Sequence, residues 1–129
     1  MSRFFLLAII ALAALASPGS KAVGSNPEPM RVTLYDNRFD PAALNFESGK
    51  TYALNLVNQG HEMHEFTAPA FLKAAIIANR SVLANGGTDI VIPPGQSVTV
   101  ILTAPLPGDY ELTCADHDWD GMAGHIVVR

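Results

Sequence analysis

Three side chains with metal-binding chemistry lie close together near the end of the chain. Cys114, His117 and Met122 form a C-x2-H-x4-M pattern, and a thiolate, an imidazole and a thioether are soft or borderline ligands that suit one metal ion. A fourth ligand has to come from elsewhere in the chain. His61 and His64 are the candidates, because they follow the longest early β-prone run.

Strand periodicity favours His64 over His61 as the fourth ligand. Side chains two positions apart on a strand point to the same face, so His64 shares a face with Phe66, an expected core residue, and His61 points outward. The same argument places Cys114 on the inward face of its strand. It places His125 on the outward face of the last strand, which makes His125 a poor ligand candidate.

Two histidines, one cysteine and a weak axial methionine are the ligand set that selects copper and suits it to electron transfer. Zinc is the chemical competitor, but its structural sites are normally built from Cys and His alone, and the chain has one cysteine. A catalytic zinc would need a base, and nothing in the sequence marks Glu62 or Glu65 for that role. Taken singly, each ligand candidate has an ordinary interpretation as a core or surface residue. The agreement of spacing, strand phase and β context favours a metal site.

Short β-prone runs separated by Pro and Gly turns account for most of the chain. These runs cover residues 31–35, 44–46, 51–58, 89–92, 96–103, 109–114 and 124–129. Between them, residues 70–83 have apolar side chains at helical spacing after Pro69, which predicts a short helix or helical loop. The pattern predicts an all-β fold, an antiparallel β-sandwich with one short helical insertion.

The first residues have the pattern of a secretory signal peptide. A basic start at Arg3 precedes an apolar run from Phe4 to Ala16 that ends in small residues, and this run is shorter than the roughly 20 residues of a membrane-spanning helix. The predicted organisation is a signal peptide at 1–16, a flexible leader at 17–29 and one domain at 30–129. The protein is thus expected in the periplasm, without a membrane span after signal removal and as a monomer.

Charge and cysteine content argue against a nucleic acid partner, an internal disulfide and a lipid tether. The formal charge is −4, and it becomes −5 once Arg3 leaves with the signal, so no nucleic acid partner is predicted. With one cysteine no internal disulfide can form, and no lipid tether at the cleavage site is expected. Metal ligation would protect Cys114 from oxidation in an oxidising compartment.

The same residues carry a resemblance to a known family. The segment Asn58-x-Gly60-x3-His64-Glu65-Phe66, the strand that ends at Cys114 and the C-x2-H-x4-M loop resemble the cupredoxin family of blue copper proteins, on its plastocyanin and pseudoazurin side and within a bacterial cupredoxin-like subgroup. The resemblance covers about Met30 to Arg129. It implies a Greek-key sandwich and one type 1 copper ion that cycles between +1 and +2. It also implies ligand roles for His64, Cys114, His117 and Met122.

Two departures from the family pattern bear on the site. Glu65 stands where plastocyanin-like proteins usually have Asn, and a carboxylate there is expected to alter the hydrogen bonds that hold the cysteine loop. The helical segment at 70–87 is the second departure. Within the ligand loop, Trp119 is interpreted either as a hydrophobic lid over the metal or as part of a docking patch. Asp116, Asp118 and Asp120 keep the loop solvated and favour a basic partner.

The residues are compatible with three functions to different degrees. The favoured one is a carrier that passes one electron between redox partner proteins, with no substrate turnover. The alternative is an envelope protein of copper tolerance or delivery, working with copper-handling proteins, in which His61, Glu62, Met63 and His125 form an auxiliary outer site. An enzyme is disfavoured, because multi-copper relatives need further histidine clusters and the chain has four histidines.

Overall fold

A computed structural model describes residues 26–117 and 120–129 of the chain. The predicted signal peptide, most of the predicted leader, Asp118 and Trp119 lie outside the described residues. The interpretations of these segments therefore stay predictions. The first strand begins at Glu28, two residues before the predicted start of the domain.

The described residues form ten β-strands, one short α-helix and one 3-10 turn. The strands are β1 (Glu28–Tyr35), β2 (Arg38–Asp40), β3 (Ala43–Phe46), β4 (Thr51–Asn58), β5 (His64–Thr67), β6 (Ile76–Ile77), β7 (Asp89–Ile92), β8 (Ser97–Thr103), β9 (Gly108–Thr113) and β10 (Ala123–Val128). The helix α1 covers Pro69–Ala74, and the 3-10 turn covers Arg80–Val82.

The strands form two five-stranded sheets, and the predicted all-β sandwich is confirmed. One sheet has the order β2-β1-β4-β8-β6 and the other has the order β3-β10-β9-β5-β7. Both sheets are mixed rather than purely antiparallel, because β1 pairs with β4 and β3 pairs with β10 in parallel. β3 lies in the opposite sheet from β1, β2 and β4. The chain therefore crosses to the second sheet and back before β4, and β4 pairs with β1 in the parallel direction.

Alternating burial along the strands builds the core between the sheets. In β4 every second residue from Tyr52 to Asn58 is buried, and the intervening residues are half-buried, which is the period of two that the sequence predicts. Phe66 of β5 and Leu112 of β9 are fully buried in the same core. The core thus holds β5 and β9 in place at the end of the sandwich where the candidate ligands lie.

The helical insertion is shorter than the sequence pattern predicts. Helix α1 ends at Ala74, and Ala75 is already extended at its C-cap. The two β-branched residues that follow, Ile76 and Ile77, form β6 and pair with β8. The predicted helical spacing therefore does not extend to Ile76: its side chain is exposed, and that of Ile77 is buried. None of the helices in the described ranges has the length and apolar character needed to cross a membrane.

Adjacent isoleucines give a matched test of the β6 pairing. Ile77→Ala should lower the free energy of unfolding by about 2–5 kcal/mol, because it leaves a cavity beneath β8. Ile76→Ala removes the same atoms from a side chain that is 72% exposed and should change the free energy by less than about 0.5 kcal/mol. Urea denaturation of both variants measures the difference. Equal losses of free energy of unfolding would contradict the orientation of Ile76 and Ile77 in β6.

Candidate metal centre

Three of the predicted ligand residues come together at one end of the sandwich. His64 Nδ1 lies 3.8 Å from Cys114 Sγ, and His117 Nδ1 lies 3.5 Å from the same sulfur. The three potential ligand atoms lie within 4.8 Å of one another, and this is the one such group of His, Cys, Asp or Glu among residues 26–117 and 120–129. His64 and Cys114 are fully buried, whereas the His117 side chain is 11% exposed.

The pairing of β5 with β9 brings His64 next to Cys114. Thr67, the last residue of β5, lies opposite Thr113, the last residue of β9, in an antiparallel pair. The residues of β5 that precede Thr67 therefore run beside Cys114 and the loop that follows β9. The backbone N–H of Glu65 donates to Cys114 Sγ at 3.3 Å, and the backbone N–H of Ala115 donates to Thr67 Oγ1 at 3.2 Å. Two hydrogen bonds therefore tie the sulfur and its loop to the strand that carries His64.

Thr67 is a residue that the sequence analysis missed. The Glu65 position was expected to alter the bonding of the cysteine loop, and the bond from this position to Cys114 comes from its backbone. The side-chain tie to the loop comes instead from Thr67, two residues further along β5 on the same face as Glu65. A hydroxyl on a strand is an ordinary surface feature, so only the strand pairing identifies its role.

Backbone hydrogen bonds close the loop between Cys114 and Met122. The N–H of His117 donates to the carbonyl of Cys114 at 3.0 Å, the N–H of Met122 donates to the carbonyl of His117 at 3.2 Å, and the N–H of Cys114 donates to the carbonyl of Met122 at 3.1 Å. Met122 is fully buried. The loop thus holds the thiol, the imidazole and the thioether residue at one place in the fold.

Asn58 organises the turn that leads to His64. It is 1% exposed, and its Nδ2 donates to the carbonyls of Glu62 and Ile92 at 2.7 and 2.8 Å. Its Oδ1 accepts the N–H of Gly60 at 2.8 Å. A buried amide with three partners is expensive to replace, which gives a physical reason for the Asn-x-Gly pattern before His64.

Each histidine of the group meets a carboxylate through its other ring nitrogen. His64 Nε2 lies 3.1 Å from Asp36 Oδ1, and His117 Nε2 lies 2.6 Å from Glu62 Oε2. With Nε2 as the donor, the lone pair of each ring lies on Nδ1, the atom that faces Cys114. Asp36 was not identified from the sequence, since it lies in a turn 28 residues before His64.

The histidines predicted to point outward do so. The His61 side chain is 94% exposed and pairs with Asp36, and the His125 side chain is 57% exposed near Asp109. Met63 is also exposed, at 49%. These residues do not join the His64, Cys114 and His117 group. The outward position of His61 agrees with the prediction, but His61 lies in the turn before β5 begins at His64, so strand phase is not its cause.

Burial sets the electrostatics of the thiol and its neighbour. Desolvation raises the pKa of Cys114, and the N–H donated by Glu65 opposes this rise in part. Desolvation also raises the pKa of Glu65, and the nearby Asp116 and Asp89 add to the effect. A thiol in this environment stays protonated at neutral pH in the absence of metal. Metal binding must therefore release its proton.

The spacing of these donors fits a single metal ion of the size of zinc or copper, and the donor set favours copper. Metal–nitrogen bonds of about 2.0 Å and metal–sulfur bonds of about 2.3 Å place N and S about 3.5–3.8 Å apart at bond angles of about 110–120°, and the observed distances are 3.5 and 3.8 Å. Two imidazoles and a thiolate, with a thioether residue closing the loop, form the donor set of a type 1 copper site. One type 1 copper ion is the cofactor that this site fits.

Comparison with known proteins agrees with the fold. A family model described as a cupredoxin-like domain matches residues 5–128. No curated protein matches the chain in sequence.

Solved structures share the fold at low sequence identity. Dithionite-reduced auracyanin from the photosynthetic bacterium Roseiflexus castenholzii is 20% identical, with a TM-score of 0.59 over 81% of this chain and 99% of that chain. Auracyanin B is 20% identical, with a TM-score of 0.61 over 83% of this chain and 93% of that chain. A multicopper oxidase from Campylobacter jejuni is 13% identical, with a TM-score of 0.60 over 81% of this chain and 30% of that chain.

The raised pKa of Cys114 predicts a pH dependence of stability in the copper-free protein. The unfolded thiol ionises near pH 8.5 and the folded thiol at higher pH, so stability is complete below about pH 8.5. It falls above that, by up to about 1.4 kcal/mol per pH unit until the folded thiol also ionises. Urea denaturation between pH 7 and 10 measures this loss. Cys114→Ala should lack this component of the slope, and an identical slope in that variant would contradict the prediction.

Proposed function

Since the chain belongs to the cupredoxin-like family, we propose that it is a one-electron carrier whose copper is held by His64, Cys114, His117 and Met122. The observation that carries the proposal is the group of two imidazoles and one thiol whose potential ligand atoms lie within 4.8 Å of one another. Met122 completes the set from a fully buried position in the same loop.

The burial of the group suits electron transfer. When bound, copper supplies a one-electron couple between the +1 and +2 states. His64 and Cys114 exclude water from the site, since both are fully buried. The His117 ring is the part of the group nearest to solvent, with 11% of its side chain exposed, and it is the natural edge for electron exchange with a partner protein.

The surroundings of His117 favour a basic redox partner. Glu62, in contact with His117 Nε2, is 64% exposed, and Asp36 is 41% exposed. Glu65 and Asp116 add carboxylates close enough to influence each other. A surface of this charge speeds encounter with a positively charged partner and makes the rate sensitive to salt. Export to the periplasm through the predicted signal segment at 1–16 would bring the carrier to such a partner.

A catalytic role is not proposed. The described residues contain one group of His, Cys, Asp or Glu suited to a metal, and a multi-copper enzyme needs several. This chain corresponds to 30% of the length of the multicopper oxidase with the same fold. The exposed His61 and Met63 near the site keep copper tolerance or delivery as the alternative, because such side chains can capture copper at the surface.

Single substitutions of the proposed ligands test the copper site. Cys114→Ala should abolish any intense visible band of the copper-loaded protein, because that band requires a copper–thiolate bond and the chain has one cysteine. His64→Ala should lose tight, coloured copper binding. His125→Ala is the control on an exposed histidine away from the group and should leave the absorption spectrum nearly unchanged. His61→Ala, which removes a ring in contact with Asp36, should also leave the spectrum nearly unchanged. Colour in Cys114→Ala, or equal damage from His61→Ala, would overturn the assignment.

Met122→Gln separates the carrier from the copper-tolerance protein. The variant should keep copper bound but have a lower reduction potential, because a harder oxygen ligand favours the +2 state. Redox titration measures that shift. In cells lacking the gene, a Met122→Gln copy should then fail to restore respiratory electron flux. Normal respiration in the deletion strain, with copper sensitivity that Met122→Gln rescues fully, would favour copper tolerance instead.

A further inference from the structure

Asp36 is the most heavily bonded carboxylate around the site. Its Oδ1 lies 3.1 Å from His64 Nε2 and accepts the backbone N–H of His61 at 2.7 Å and that of Glu62 at 3.4 Å. Its Oδ2 lies 2.9 Å from His61 Nδ1. These contacts hold the carboxylate from several directions in the turn between β1 and β2. Its position against His64 is therefore built into the fold, although the side chain is 41% exposed.

Gly60 supplies the space for this contact. A Cβ atom at Gly60 would lie 2.1 Å from Asp36 Oδ1 and 2.8 Å from His64 Nε2, so no larger residue fits without displacing one of them. The N–H of Gly60 is itself held by Asn58 Oδ1. At Gly60 the backbone of the turn thus passes close to the contact between the Asp36 carboxylate and the His64 imidazole, and it can do so because glycine has no side chain.

The contact with Asp36 determines which ring nitrogen of His64 is free to bind a metal. An imidazole that donates Nε2–H to a carboxylate carries its lone pair on Nδ1, which faces Cys114 Sγ at 3.8 Å. Carboxylate partners of metal-bound histidines set the tautomer and ring orientation and raise ligand basicity. The negative charge of Asp36 also favours the more highly charged state of a metal on the other side of the ring.

We propose that Asp36 is a positioning residue for the copper site, acting through His64: it fixes the ring with Nδ1 toward Cys114 and favours copper in the +2 state. Glu62 makes a similar contact with His117, but it is 64% exposed and has no comparable set of backbone donors among the described contacts. Asp36 therefore differs from Glu62 in being held by two backbone N–H groups and in contacting the fully buried His64. This inference rests on the proposed copper-carrier function.

Substitution of Asp36 tests the inference in the copper-loaded protein. Asp36→Ala should weaken Cu(II) binding about 10–100-fold, and Asp36→Asn, which keeps an acceptor but loses the charge, should weaken it less. Both should raise the reduction potential, by about 59 mV for each tenfold loss of Cu(II) affinity relative to Cu(I). Asp109→Asn is the matched control, since it removes the same charge from a carboxylate beside the exposed His125. Asp109 lies five residues before Cys114 along β9, which corresponds to about 17 Å.

A second readout does not need copper. In the copper-free wild-type protein, nitrogen NMR shifts of His64 should show the Nε2–H tautomer, and Asp36→Ala and Gly60→Ala should both lose that fixed state. The inference would be overturned if the Asp36 variants had the same reduction potential and Cu(II) affinity as Asp109→Asn. It would also be overturned if His64 in the wild type carried its proton on Nδ1. If Asp36→Ala does not fold, the reduction potential of Asp36→Asn and the His64 tautomer of the wild type test the inference instead. If the wild type forms no coloured copper site, the proposed function fails, and the tautomer still decides the Asp36 contact.

Discussion

The contact between β5 and β9 is the constraint on which the site depends. One strand begins with His64 and the other leads directly into Cys114, so their pairing places a buried imidazole against a buried thiol. The N–H of Glu65 and the hydroxyl of Thr67 then hold the sulfur and the start of its loop. These two bonds lie next to the paired end of β5 and β9, so they tie the cysteine and its loop to the sandwich.

A rigid, preformed donor group has a functional consequence. The donor group places a thiol beside two imidazoles, and burial disfavours the charged form of that thiol, as the raised pKa of Cys114 shows. That arrangement persists because the strands and the hydrogen bonds of Asn58 fix it. A site held in this way changes little when the charge of its metal changes, and small rearrangement is what fast one-electron exchange requires.

Much of the fold follows from local patterns in the sequence. The bounds of β4 and β7 are those predicted from alternation and flanking turns. Four ligand candidates were also accessible from sequence, since three lie in one short loop and the fourth follows from strand phase. The helix was predicted too long, because helical spacing of apolar residues does not reveal that Ile76 and Ile77 pair with β8.

The residues around the ligands could not be predicted in the same way. Asp36 lies 28 residues from His64, and Thr67 lies 48 residues from Ala115. An aspartate in a turn and a threonine on a strand have ordinary roles when read alone. Only the three-dimensional pairing of β1, β4, β5 and β9 shows that they contact the site. The parallel pairs of the two sheets were missed for the same reason.

X-ray absorption spectroscopy of the copper-loaded protein, recorded in both the oxidised and the reduced state, tests the central claim most directly. The account predicts one sulfur from Cys114 and two imidazole nitrogens bonded to a single copper in both states, with little change in bond lengths between them. A copper bound only by nitrogen and oxygen, or one that loses the sulfur or exchanges its imidazole ligands on reduction, would contradict a preformed electron-transfer site.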